Sequence, residues 1–338
     1  MQTFILSKAD VPSWVRGLLA AYRVVGPTEA SEGVVHYTPL AEAGAAVLDG
    51  LRPIRSPKEY FIPATEPLLT YRGSGASLVL EPPAAPARDT VILGVRPCDA
   101  RALTRLDDVF LRRKETDGLY EGQRKRTRLV GLACEAPSWG CFCTSVGGSP
   151  AGTEGLDLAL TDLGDRFHLA VLTEAGRALL SGAGFAGATE ADDAEAEARH
   201  RAAASRMPPR FDGEHVADKI DWEAPFWAHY AKRCLACGAC SFLCPTCHCF
   251  DIQDEVKAAD GKRVRNWDSC MFPLFTKETS GHNPRPSQKE RWRQRFMHKF
   301  RYYVDMFGPI ACVGCGRCVM SCPVNIDIRK IVADISKL

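Results

Sequence analysis

The stretch CLACGACSFLCPTCHCF, residues 234–250, packs six cysteines into one short run. Four of them, Cys234, Cys237, Cys240 and Cys244, stand at the spacing C-x2-C-x2-C-x3-C and are followed by Pro245. The pattern returns at Cys312, Cys315, Cys318 and Cys322, again followed by a proline, Pro323. Thiolates at this spacing let a tight loop wrap one face of an iron–sulfur cube while backbone amides point at its sulfides. Gly238, Gly314 and Gly316 permit the dihedrals such a loop needs, and the prolines turn the chain away.

Two such runs are the pattern of two-cluster bacterial ferredoxins, where the fourth cysteine of each run ligates the other cluster. On that rule one cube takes Cys234, Cys237, Cys240 and Cys322, and the second takes Cys312, Cys315, Cys318 and Cys244. Structural zinc also accepts four thiolates, but the doubled eight-cysteine pattern with both prolines favours iron. Residues 222–338 therefore read as an α+β, bacterial-ferredoxin-like domain for two [4Fe-4S] clusters, with a large inserted arm over 250–308. In that arm Arg291, Arg293, Arg295, Lys299 and Arg301 alternate with Trp292, Phe296, Phe300, Tyr302 and Tyr303. The spacing predicts a helix with its aromatic face on the clusters and its basic face toward solvent or a partner.

Cys247, Cys249 and Cys270 are left over, and three thiols are one short of an all-cysteine cube. They read as packing and sulfur-tuning groups beside the cube held by Cys244, so serine at Cys247 or Cys249 is expected to leave the iron content unchanged. His248, between two cysteines, reads as a supporting or packed histidine, and His282 and His298 as structural.

Upstream, residues 1–187 read as an α/β domain. VILGV (91–95), RLVGLA (128–133), LDLALT (156–161) and FHLAVLT (167–173) are strand-length apolar or alternating runs. DARALTRLDDVFLRR, between the first two, repeats its apolar residues at helical spacing and predicts a parallel strand–helix–strand unit. Cys98 and Cys134 each follow one of those strands, so their sulfurs are expected at the shared carboxyl edge, where open α/β sheets place their sites. With Cys141 and Cys143 of the WGCFC loop they make a sufficient set for a third iron–sulfur cluster, with zinc or buried metal-free thiols as the alternatives. Asp99 is expected to hydrogen-bond the backbone of that site. Residues 188–221, rich in alanine and charge, read as a charged helical linker.

Lys plus Arg number 43 against 41 Asp plus Glu, which excludes an overall basic field for nucleic acid. The N-terminal residues lack the pattern of a secretory signal, and no apolar run reaches bilayer length. A cytoplasmic location is expected, where 15 cysteines point to metal ligation in place of disulfides. There is no complete G-x-G-x-x-G, no nickel-type cysteine pairing and no Ser/His/Asp set, so no catalytic residue is assigned.

Taken together, GVRPCDARAL, LACEAPSWGCFCTS, DLALTDLGDRF, CPTCHCFDI, NWDSC and CVGCGRCVMSCPVNIDI resemble the β subunit of cytoplasmic sulfhydrogenases, the [NiFe] hydrogenase/sulfur reductase complexes. They are also similar to the electron-transfer subunit of anaerobic sulfite reductase. The likeness runs from about residue 50 to the end. It implies an electron-transfer subunit between a flavin subunit that handles NAD(P)H and a [NiFe] hydrogenase module. In the other branch the catalytic partner is a sirohaem sulfite reductase subunit. Direct reduction of sulfur or polysulfide is the further alternative.

Overall fold

A computed structural model describes residues 2–50, 52–181 and 184–337. Its strands are β1 (Gln2–Ser7), β2 (Arg23–Ser31), β3 (Val34–Pro39), β4 (Thr65–Arg72), β5 (Val79–Glu81) and β6 (Thr90–Val95). They continue as β7 (Thr127–Leu132), β8 (Leu158–Asp162), β9 (Arg166–Val171), β10 (Ala186–Gly187), β11 (Phe250–Lys257) and β12 (Asp260–Trp267). Among the described residues they form an eight-stranded sheet, in the order β10-β1-β9-β8-β7-β6-β2-β3, and a four-stranded sheet, β11-β12-β4-β5.

The centre of the large sheet is parallel: β6 pairs with β2 and β7, and β7 with β8. Every residue of β6 is buried, as a strand covered on both faces requires. The helix Pro97–Leu111 crosses from β6 to β7, starting on a proline that costs no hydrogen bond at that position. The expected parallel unit is therefore present, flanked by antiparallel hairpins β2–β3 and β8–β9. One core cluster, built around Leu6, Trp14, Leu93 and Leu169, packs apart from a second around Phe61, Leu103 and Tyr120.

Within the charged stretch after the sheet, the helix Glu190–Ser205 opens with a capping box between Thr189 and Asp192. Only Ala196 and Ala203 of that helix are buried, and it lies against β8 and β9, with His200 bonded to Thr161 at 2.8 Å and Asp193 to His168 at 2.7 Å. The C-terminal core gathers Trp227, Trp292, Phe296 and Phe300 around the cysteine runs, and the helix Ile328–Ser336 adds Ile328, Ile331, Val332 and Ile335 at i, i+3, i+4 and i+7.

Two features tie the halves together. Strand β12 of the inserted arm pairs with β4, so the second sheet draws two strands from each half. Arg265 of β12, buried, meets Glu66 of β4 and lies 2.5 Å from Asp117. Further along, Arg317, between Cys315 and Cys318, forms a fully buried ion pair with Asp99 of the helix Pro97–Leu111, at 2.8 Å through its second contact. Asp99 thus pairs with a side chain of the other half, in place of the expected backbone contact.

Candidate metal centres

Each cysteine run folds as its glycines dictate. Gly238 and Gly316 both adopt φ of 74°, and each caps a four-residue helix, Ala239–Phe242 and Arg317–Met320. These left-handed turns put successive thiols on one side of the loop. Cys234, Cys237, Cys240 and Cys322 line one cavity, with Cys318 on its wall. Cys312, Cys315, Cys318 and Cys244 line a second.

The N-terminal four converge as well. Parallel pairing of β6 and β7 brings Cys98 and Cys134 out at one edge, and Phe142 N–H donates to Gly314 O at 2.8 Å, pinning the WGCFC loop against the second run. Cys98, Cys134, Cys141 and Cys143 line a third cavity, together with Cys315, Arg52 and Arg96. The twelve cysteines singled out in the sequence thus line three neighbouring cavities, with Cys318 common to the first and second and Cys315 to the second and third. Among the described residues no three His, Cys, Asp or Glu side chains stand close enough to hold a single ion.

The electrostatics fit thiolate-bound clusters. Burial pushes the Cys143 and Cys312 thiols up to about 12, so at neutral pH each keeps its proton unless a metal displaces it. Three buried cations surround the sulfurs: Lys58, Arg295 and Lys299. Arg295 donates to Cys247 Sγ at 3.4 Å and to Cys240 O at 2.6 Å, Lys299 to Thr246 Oγ1 at 2.9 Å, and Lys58 to the carbonyls of Cys244 and Cys247 at 2.9 and 3.0 Å. None of the three pairs with a carboxylate among the described residues. Burial opposes the charge of Arg295, and Cys240, Cys247 and Cys244 more than restore it. Buried charge without a counter-charge is costly, and the neighbouring cysteine sulfurs are the groups placed to supply it as thiolates.

The arm differs from its sequence pattern. Amphipathic spacing predicts that the helix Gln288–Met297 turns a basic face to solvent or a partner, yet Arg291, Arg293, Arg295 and Lys299 are all buried. Arg295 and Lys299 point inward because the negative charge lies inside. Lys58 and Arg52 carry no signal in the sequence, since nothing in PKEY or LRPIR marks a residue that tertiary packing will bring to a sulfur.

Two comparisons with known proteins bear on these centres. The profile of the 4Fe-4S dicluster domain family matches residues 233–326. The β subunit of sulfhydrogenase 2 of Pyrococcus furiosus is 30% identical over 329 residues, covering 96% of this chain and 95% of that one. The chain belongs to the sulfhydrogenase β-subunit family. No solved structure matches it. As a member of that family it is an iron–sulfur, electron-transporting component of a hydrogenase complex with two [4Fe-4S] clusters in its dicluster domain. None of its helices, among the described residues, is long and apolar enough to cross a membrane.

Proposed function

We propose that this chain relays electrons between a flavin subunit that handles NAD(P)H and a [NiFe] hydrogenase module, through three cubes set in series. The first is held by Cys234, Cys237, Cys240 and Cys322, the second by Cys312, Cys315, Cys318 and Cys244, and the third by Cys98, Cys134, Cys141 and Cys143. The observation that carries this reading is that neighbouring cavities share a cysteine wall. Cys318 lines the first and second, and Cys315 the second and third. Iron–sulfur cubes supply one-electron chemistry at potentials set by hydrogen bonds and burial.

The protein's part is to hold the sulfurs, to exclude water and to place charge. Arg52 donates to Cys315 O and approaches Cys141 Sγ at 3.9 Å, so one guanidinium spans the second and third sets. It favours the added electron on either side. The similarity to a sulfhydrogenase β subunit supports the hydrogenase branch.

The relay is tested on the anaerobically purified chain. Cys322→Ser, Cys312→Ser and Cys98→Ser are each expected to remove about four Fe, with matching loss of one EPR signal in a redox titration. Iron unchanged by Cys98→Ser would remove the third centre. Steady turnover of polysulfide by the isolated chain with reduced viologen would replace the relay by a catalytic reductase.

A further inference from the structure

Cys247, Cys249 and Cys270 do not scatter as packing thiols would. They line a fourth cavity with His248 and His298. It adjoins the cavity lined by Cys244, Cys312, Cys315 and Cys318, and Arg295 and Lys299 line both. The thiols arrive from two segments: the β11–β12 hairpin closes on itself, with Asp268 N–H donating to Cys249 O at 2.9 Å, and so returns Cys270 to Cys249. Cys249 and Cys270 lie close enough to perturb each other's titration, as do Cys247 and Cys244, a residue of the second set.

The fourth ligand that the sequence lacked is an imidazole. His248 Nδ1–H donates to Thr246 O at 3.2 Å, the contact that leaves a histidine's other nitrogen free to ligate. The His298 ring lies 5.3 Å from it and opens a π-helical turn, His298–Tyr302, a feature frequent at functional sites. Imidazole replaces thiolate on iron in known centres.

Charge points the same way. Lys58, Arg295 and Lys299 converge on this corner, and the last two line both this cavity and its neighbour. Cations that line a cavity favour thiolate over thiol on the cysteines that share it.

We propose that Cys247, Cys249 and Cys270, with the imidazole of His248 or His298, hold a fourth iron–sulfur cube beside Cys244. This revises the reading of these three cysteines as packing groups, and it stands whether or not the N-terminal set is loaded.

The test is a difference in metal content. The full chain bearing Cys247→Ser, Cys249→Ser and Cys270→Ser together, purified anaerobically, is expected to hold about four Fe and four sulfides fewer than the parent. Unchanged iron overturns the proposal, and loss of zinc in place of iron overturns the cube. Cys98→Ser measured in parallel reports the N-terminal set separately, so the failure of either is read on its own. Should the triple variant not fold, pulsed EPR on the reduced parent decides. A nitrogen coupling to a cluster that disappears in His298→Ala or in His248→Ala supports the site, and no such coupling in the parent overturns it.

Discussion

Gly238 and Gly316 share the same φ, and the loops from Cys234 to Cys244 and from Cys312 to Cys322 carry the same turn and the same short helix. Their surroundings differ throughout. In the first run Cys237 is exposed and Leu235 is 65% exposed, whereas in the second Cys315 is buried and Arg317 is 2% exposed. A Cβ at Gly314 would stand 2.5 Å from Cys143 Cα, and one at Gly316 would strike Gly140 O, so the N-terminal loop lies directly on the second run. The matched position in the first run, Ala236, holds the same left-handed backbone with a Cβ present, at φ of 56° against 66° for Gly314. One sequence motif thus serves as an outward face and as an internal junction. In the relay proposed above, the first run is the face that meets a partner and the second is the one that passes electrons to the N-terminal set.

The largest expected effect breaks the junction. Asp99→Ala leaves the Arg317 guanidinium buried and unpaired, and the loss of stability is expected to reach about 3–5 kcal/mol in anaerobic urea unfolding. Ala239→Ser, at the position matching Arg317 in the first run, should cost far less. Equal costs would mean that the two runs are not set apart by their burial. Opposite substitutions at one matched position sharpen the contrast. Gly314→Ala adds a strained φ and a clash, for a cost of about 2–4 kcal/mol. Ala236→Gly relieves the strain and returns some chain entropy, for a net gain of about 0.5 kcal/mol. A gain at both positions would show that the N-terminal loop does not press on the second run. The mildest perturbation is chemical: under limiting alkylation, mapped by mass spectrometry, Cys237 is expected to react before Cys315, because access governs thiol reactivity. The reverse order would make the second run the outward face.

How far the site is legible in the sequence varies residue by residue. The eight cysteines at C-x2-C-x2-C-x3-C-P can be read from spacing because a loop around a cube is local, and local geometry repeats with local sequence. Cys98 and Cys134 are legible through one step of topology, since parallel strands joined by a helix end at the same edge. The gathering of Cys247, Cys249 and Cys270 with His248 and His298 has no signal in the sequence, because nothing local shows that β11 and β12 fold Cys270 back or that His298 arrives on a π turn. Arg295 stands out in the sequence but with the wrong direction: amphipathic spacing says which residues share a face and is silent about where the negative charge lies. The pairing of β12 with β4 has no signal either, since a register between strands so far apart in the chain is chosen by packing.

By itself the sequence determined the two iron–sulfur runs, the parallel β6–β7 unit and the family, because thiol spacing and hydrophobic period act over a few residues. Tertiary structure alone decided that the cysteine sets share walls, that Arg295, Lys299 and Lys58 converge on the sulfurs, and that Arg317 meets Asp99. Those are contacts between distant segments, and they form where burial of apolar surface carries charged groups inward and obliges them to find their counter-charge.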